Sequence, residues 1–392
     1  MSTRPRVSAP ALPPLLKHLN VRTVLEAIRS GAPISRAEIS RRAGISKPTV
    51  SLALQSLVDA GLVRESTSEP DGPRYGAVFF EPVPEAALVL GLDVGGRFLR
   101  GAICDLRGDV RARLDVEIAG SDAARLLDQI ADLRARLVTA TGLDGSLVNG
   151  AVVGVPGVVD AERRGIALAT SVAGLEGVTF GSDLEHRLGL AVSLENDVNL
   201  AALGEHWQGV ARGVDDFLFL SIGTGMGAGL VLRGELHRGH NGAAGEVDFA
   251  LVGLAQDVDP CAGAVSAFAA RLAAVADRPT ELTPPFDARD IFAAARAGDA
   301  VAAEVVDEVA RRIALHIVPV AAVTDVSLVV LGGGLGANGD LLLDPVRARL
   351  EGWIPYPPRV EVSALGEAAV LTGALASGLR RALDDVVERR AA

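Results

Sequence analysis

Cysteine and lysine are nearly missing from this 392-residue chain, which has two of each: Cys104 and Cys261, Lys17 and Lys47. Two cysteines exclude a disulfide framework and a Cys-rich zinc site, and they suit a reducing cytoplasm. Aromatic residues make up 4% of the chain, which speaks against RNA or single-strand recognition by stacking. No stretch approaches the roughly 18 to 20 uninterrupted apolar residues of a membrane helix. The opening MSTRPRVSAPALPP has two arginines but no apolar run behind them. It reads as a short disordered arm over residues 1–14, not as a signal peptide.

What is present is 49% hydrophobic residues with 44 glycines and 20 prolines, the makeup of a globular protein with many turns. A chain of 392 residues is too long for one ordinary core and natural for two or three domains. The net charge of −11 is unevenly spread. Residues 1–75 hold eleven Lys/Arg and six Asp/Glu, a net of +5, so the remainder carries −16. This asymmetry is expected if the N-terminal segment alone meets phosphate. Charge by itself leaves a chance excess of arginine on a solvated face equally open.

Leu15, Leu19, Val21, Val24, Leu25 and Ile28 predict a helix over 15–30, ended by Gly31 and Pro33. Ser35 with Glu38 three residues on forms a capping-box pattern for a second helix, Arg36 to Ala43, which stops at Gly44. Ser46 caps a third helix whose buried stripe is Val50, Leu54, Leu57 and Val58, with Pro48 tolerable in its first turn. After Gly61, two short apolar runs flank a Pro-Asp-Gly-Pro tip, the pattern of a β-hairpin. The proline-rich 82–86 reads as a semi-rigid linker. This divides the chain into a winged helix-turn-helix over 15–81 and a second domain over 87–392.

The helix-turn-helix places small polar residues at the start of its second helix, where they would reach base edges and phosphates in a major groove. The candidates are Ser46, Lys47, Thr49, Ser51 and Gln55. Gln55 suits adenine, and Lys47 suits guanine or phosphate. Arg36, Arg41 and Arg42 would sit near the backbone. Arg74, at the hairpin tip, would enter a minor groove. The competing explanation is a three-helix packing module with no ligand. The hairpin, the local charge and the polar face together favour double-stranded DNA.

From Ala86 onward, apolar strands alternate with helical stretches at 121–139, 197–208 and 299–324, the pattern of an α/β domain. A strand–glycine–strand opening at 88–104 recurs at 217–233, a hint of duplication into two lobes with a ligand cleft between them. Glycine-rich turns follow three strands: Asp93-Val94-Gly95-Gly96, the run Gly223-Thr224-Gly225-Met226-Gly227, and Gly332 to Gly336. Such turns let backbone N–H groups approach an anion, although one alone is usually just a turn. Gly154 to Asp160, Glu195-Asn196-Asp197 and Gly242 to Glu246 bring together the carboxylates and amides that hold polyols. A carboxylate beside a sugar hydroxyl can also serve as a general base. His237 and His240 lack a third ligand and read as loop residues. Trp207 and Trp353 read as packing residues, and the C-terminal SGLRRALDDVVERR as an amphipathic helix docked on its own domain.

In this order, behind such an N-terminal module, these motifs resemble the regulator branch of the ROK family (repressors, open reading frames and sugar kinases) over about residues 15–380. The resemblance implies a duplicated actin-like ATPase fold with its second half starting near 217. It matches Asp197 to a kinase's catalytic base, and Asn196 and Glu246 to sugar ligands. Asp93, Gly95, Gly96, Gly223, Thr224, Gly225 and Gly227 match the ATP phosphate loops, here vestigial. Several positions depart from the family pattern. Arg97 stands where threonine normally follows the double glycine, and Ser171 stands closest to the usual sugar-binding asparagine. Gly245-Glu246-Val247-Asp248-Phe249 replaces Gly-Glu-Ile-Gly-His, the zinc loop is missing, and Leu52 stands where relatives often carry arginine. The expectation is therefore no structural zinc and a weak case for ATP.

The sequence thus predicts a cytoplasmic transcription regulator, most often a repressor in this family. Its partners would be an operator duplex, a sugar or sugar-phosphate effector between the lobes, and further copies of itself in a homodimer or higher oligomer. An active sugar kinase carrying a DNA module, and a regulator that has lost sugar sensing, are the alternatives.

Overall fold

The computed structural model describes residues 14–67, 77–120, 122–160, 165–167, 175, 179–254 and 257–390. The N-terminal module contains α1 (Pro14–Gly31), β1 (Ile34–Ser35), α2 (Arg36–Ala43), α3 (Lys47–Asp59), β2 (Val63–Glu65) and β3 (Phe79–Pro82). Ser35 caps α2 by accepting from the Glu38 N–H, and Gly44 closes it in the left-handed conformation at φ 65°. Glu38 does not complete the capping box. Its carboxylate is taken by Arg41 and Arg42 instead. Ser46 caps α3, whose buried face is Val50, Ala53, Leu54 and Leu57; Val58 is exposed, unlike the expected stripe. Leu19 is exposed in the same way, while Val21, Val24, Leu25 and Ile28 are buried. β3 is the centre of a three-stranded sheet in the order β1-β3-β2, all antiparallel. That is the wing predicted after Gly61; its tip, 68–76, lies outside the described residues.

The body is two copies of one topology. The first lobe runs β4 (Leu88–Val94), β5 (Phe98–Asp105), β6 (Val110–Glu117), α4 (Ala123–Thr141), β7 (Val148–Val155), β8 (Val158–Asp160), β9 (Gly165–Ala167), α5 (Phe180–Leu188), β10 (Val192–Asn196) and α6 (Asp197–Gln208). The second begins β11 (Phe217–Ile222), β12 (Met226–Leu232), β13 (Glu235–Leu236), α7 (Ala262–Val275), α8 (Ala288–Arg296) and α9 (Ala300–Thr324). It ends β14 (Leu328–Gly332), α10 (Gly333–Gly336), α11 (Gly339–Trp353), β15 (Arg359–Val362) and α12 (Ala369–Arg390). The sheet orders are β10-β7-β4-β5-β6 and β13-β12-β11-β14-β15. In each, the first strand pairs antiparallel with the second and parallel with the fourth, and the fifth runs parallel to the fourth. β4 is buried along its whole length, as a central strand covered on both faces must be. β6 carries Arg111, Arg113, Asp115 and Glu117 at every second position along an edge, which discourages further pairing.

The equivalent helices α6 and α12 pack against each other at the centre. Their approach requires glycine: a Cβ on Gly373 would lie 1.8 Å from the Leu200 carbonyl oxygen, and one on Gly204 would lie 2.3 Å from that of Ala369. α12 also leaves the body. Leu371, Leu375, Leu379, Leu383 and Val387 share one apolar cluster with Val24, Leu25 and Ile28 of α1 and with Val50, Leu54 and Leu57 of α3. The expected linker follows the same pattern. Pro82 ends β3, and residues 84–86 form a short 3₁₀ turn with Pro84 and Ala86 buried. The DNA-reading module and the body therefore meet across a continuous core, with the Arg22–Asp384 ion pair at 2.9 Å spanning its rim.

Candidate functional site

Two sites emerge. The first is the outer face of α3. Lys47, Pro48, Leu52 and Gln55 are exposed along it, with Ser46 at its start and Thr49 and Ser51 half-buried beside them. The Ser46 and Thr49 hydroxyls share a hydrogen bond of 2.8 Å, and the Ser51 hydroxyl donates to the Lys47 carbonyl. The Gln55 amide donates to Asp59 at 2.8 Å, so this side chain must exchange a partner before it reads a base. Arg36 lies exposed with its guanidinium 6.0 Å from the Phe80 ring centre. Arg41 and Arg42 flank Glu38, whose pKa their hydrogen bonds lower to about 2. Leu52, 68% exposed, is the one large apolar side chain at the middle of this face. Arg74 lies outside the described residues.

The second site lies in the body, where three predicted segments converge. Asn196 caps α6: its side-chain oxygen accepts from the Asn199 N–H at 2.9 Å, and its amide donates to the Gly157 carbonyl at 2.9 Å. That bond ties the 195–197 motif to the 154–160 loop. Gly242, at φ 76°, brings the third segment in, since a Cβ there would lie 2.5 Å from the Val159 carbonyl oxygen. Gly245 turns the chain toward Glu246 at φ 105° while touching Ala228. The Glu246 carboxylate has no hydrogen-bond or ion-pair partner among the described residues, so it is a free acceptor at the edge of the site. Ser171 lies outside the described residues.

Asp197 begins α6, and its carboxylate accepts from the Val198 N–H at 2.8 Å. Asp197 is half-buried, with protein packed around its carboxylate. Burial, then the nearby charge of Asp93, raises its pKa to about 7. Burial and then Asp248 raise that of Glu246. A carboxyl group poised near neutrality can donate or accept a hydrogen bond with a sugar hydroxyl. It can also take a proton.

Sequence reasoning named Glu195 only as part of the polyol-holding motif, without a role of its own, and did not name Arg100. Glu195 is buried and accepts from the Asn199 amide at 3.0 Å and from Arg238 at 2.7 Å, which fixes the strand that presents Asn196. Arg100 stands directly across the β4–β5 hairpin from Asp93. Its guanidinium lies 3.2 Å from the Asp93 carboxylate and 3.0 Å from Glu367. Burial still raises the pKa of Asp93 to about 6 against the pull of Arg100. Gly95 closes the first-lobe turn by donating to the Phe98 carbonyl, and Gly96 follows it toward β5. The next residue, Arg97, pairs with Glu117 and covers the Phe98 ring at 5.0 Å. Two arginines thus flank the first glycine turn, Arg100 half-buried against Asp93 and Arg97 exposed.

The second-lobe turns differ. Gly223, Thr224 and Gly225 form an open bend between β11 and β12, and nothing lies within 4 Å of a Cβ built on Gly225. The Gly332–Gly336 turn lies alongside, with the Gly334 nitrogen 3.8 Å from a Cβ on Gly223. Gly227 is not part of the bend. It stands inside β12 opposite Ser221, where its lack of a side chain makes room for Val198 of α6.

Where a zinc loop was missing from the sequence, a buried arginine holds the chain. Arg312, of α9, donates to the Asp259 carbonyl at 2.7 Å and pairs with Asp257 and Glu308. Cys261 stands at the N-cap of α7, and burial pushes its thiol pKa up, away from the thiolate a metal requires. Among the described residues no group of three or more His, Cys, Asp or Glu side chains is arranged to hold a metal ion. None of their helices is long and apolar enough to cross a membrane.

Residues 89–379 match the model described as ROK family, and residues 19–72 match that described as MarR family. A xylose repressor of Caldicellulosiruptor bescii is 28% identical over 387 residues, covering 92% of this chain and 96% of the relative. A glucokinase of Halalkalibacterium halodurans is 29% identical over 309 residues, covering 72% and 92%. Among solved structures, a ROK family transcriptional regulator described as a homolog of E. coli MLC protein superposes with a TM-score of 0.79. It shares 24% identity over 95% of this chain and 98% of that one. A ROK family glucokinase from Streptomyces griseus, in complex with glucose and AMPPNP, gives a TM-score of 0.61 at 27% identity, covering 74% and 99%.

Proposed function

The chain belongs to the ROK family, and from that membership we propose that it is a sugar-responsive transcriptional repressor reading duplex DNA through α3. The effector is a sugar or sugar phosphate held by Asn196, Asp197 and Glu246. The observation that carries this reading is the shared core of α12, α1 and α3. Asn196 and Asp197 sit at the start of α6, α6 packs on α12, and α12 packs on the DNA-reading module. A sugar that favours one arrangement of α6 against α12 therefore biases the seating of α3. A coupling of about 1–3 kcal/mol changes operator affinity roughly 5- to 150-fold, and DNA weakens sugar binding by the same factor. Paired α3 helices on a near-palindromic operator imply a homodimer or higher assembly, working in the cytoplasm.

A second reading, an active sugar kinase, is favoured by Asp197, whose pKa near neutrality suits a general base. We favour the repressor because Arg100 already occupies the Asp93 carboxylate at the first glycine turn. We further propose that the domain stands without structural zinc, Arg312 holding the 257–259 loop. Chelator treatment then leaves its unfolding unchanged. Thermal unfolding against D-xylose, D-glucose, their phosphates and ATP tests the main reading. A specific ligand at about 100-fold excess over Kd stabilises by about 2.7 kcal/mol. A sugar hit that Asp197→Asn abolishes, with no turnover of ATP, is the expected result. ADP formation with a sugar supports the kinase instead.

A further inference from the structure

One cavity lies apart from both the sugar site and the glycine turns. It is a cleft of about 840 Å³ at the seam between the DNA-reading module and the body. We propose that this cleft is a second effector site, for a small phosphorylated metabolite, separate from the sugar site.

Its wall is basic. α1 contributes Arg22 and Arg29, and the turn after β5 contributes Arg107. The connection between α6 and β11 supplies Arg212, the segment after β13 supplies Arg238, and α12 supplies Arg380 and Arg381. Against these seven arginines the lining holds three carboxylates, Glu26, Asp109 and Glu235, and three more, Asp384, Glu195 and Glu81, pair with Arg22, Arg238 and Arg107 from beside it. Several arginines are held in place by ion pairs: Arg29 with Glu26 at 2.6 Å, Arg380 with Glu235 at 3.2 Å, and Arg22 with Asp384 at 2.9 Å. Arg381 donates to the Ser193 hydroxyl. Arg212 makes no ion pair or side-chain hydrogen bond among the described residues. The cleft thus combines pre-oriented guanidinium groups with one uncommitted one, the donor set that recognises phosphate in bidentate fashion. Repulsion from this wall also reaches His206, whose pKa burial and then Arg380 lower.

Size and lining favour a metabolite over a macromolecule. The volume falls within the roughly 300–1,000 Å³ of small-molecule sites. Trp207 packs against Gly108, at whose Cβ position the ring would lie 3.0 Å away, and gives the cleft an aromatic wall. The position gives the ligand leverage. Arg22 and Arg29 belong to the DNA-reading module while Arg212 and Arg380 belong to the body, so one phosphorylated ligand can bridge both. Arg238 extends the connection, because it pairs with Glu195 at 2.7 Å beside Asn196.

Binding can be read in the full chain without operator or sugar, so its failure is distinct from failure of the repressor reading. The chain has two tryptophans, and Trp353→Phe leaves Trp207 as the sole indole. Titration with inorganic pyrophosphate is expected to change Trp207 emission saturably. Arg212→Glu, an exposed position that need not disturb folding, is expected to weaken binding about tenfold or more. Asp197→Asn is expected to leave it unchanged. Parallel titrations with glucose 6-phosphate and ADP, on the Asp197→Asn background, distinguish a sugar phosphate from a nucleotide. The proposal is overturned if pyrophosphate gives no saturable change, if Arg212→Glu binds as the parent does, or if Asp197→Asn abolishes binding. A response to duplex DNA with none to pyrophosphate overturns it too, assigning the cleft to the DNA backbone.

Discussion

Asp197→Asn should make the free protein more stable, and increasingly so as pH rises. The folded-state pKa of Asp197 is about 7, above the ordinary aspartate value of about 3.9. A raised carboxyl pKa means the folded chain binds more protons than the unfolded chain between those values. Stability therefore falls as pH rises through that window and levels off above about pH 7. At about 1.36 kcal/mol per pKa unit, ionising Asp197 costs the native state roughly 4 kcal/mol above neutrality. Asparagine keeps the shape and an oxygen for the Val198 N–H but never ionises. Between about pH 5 and pH 8 its advantage should grow by roughly 2–3 kcal/mol, the part of the window that lies above pH 5. Asp93, with a pKa of about 6, titrates nearby, and removing the Asp197 charge eases its ionisation, which adds to the variant's advantage in the same direction. Urea unfolding of parent and variant at several pH values measures the difference. A variant that is less stable at every pH, or equally offset at every pH, refutes the assignment of Asp197 as a buried acid near neutrality.

If Lys47, which is exposed, spends its charge on phosphate, Lys47→Ala should weaken operator binding across sequences and lower the salt slope by about one, with thermal stability unchanged. Salt-dependent anisotropy titrations check this. Gly373→Ala should destabilise by about 1–3 kcal/mol or more, since its Cβ would lie 1.8 Å from the Leu200 oxygen. Denaturant midpoints measure it, and an unchanged midpoint contradicts the close α6–α12 contact. Arg100→Gln should cost about 3 kcal/mol at about pH 8, where it strands a buried Asp93. It should cost little at about pH 5, where Asp93 is protonated with or without its partner; unfolding at both values is the test.

Much of this organisation was legible beforehand because it is written in local chemistry. Ser35, Gly44 and Ser46 punctuate α2 and α3 where capping rules put them. The repeated strand–glycine–strand opening corresponds to β4–β5 and β11–β12, at equivalent places in two sheets of the same topology. What escaped is what only register and packing decide. Arg100 becomes the partner of Asp93 because the hairpin pairs the two across a tight turn, and no spacing rule announces that. Gly227 looked like part of a phosphate loop, but strand pairing carries it to α6. The amphipathic pattern of α12 showed that it buries one face. It did not show that the face would be shared between the body and the DNA-reading module. Val58 likewise followed the helical stripe of α3 yet fell just outside the contact.

The central claim is that a sugar beside Asp197 alters DNA binding by α3. Duplexes selected from a random pool by the full chain supply a labelled operator for anisotropy titrations with and without D-xylose, D-glucose and their phosphates. The account predicts an inverted-repeat duplex whose affinity one of these ligands shifts by about 5- to 150-fold, an effect lost in Asp197→Asn. Failure to enrich any duplex, or a duplex whose affinity no sugar alters while ATP and sugar are turned over to ADP, would contradict it.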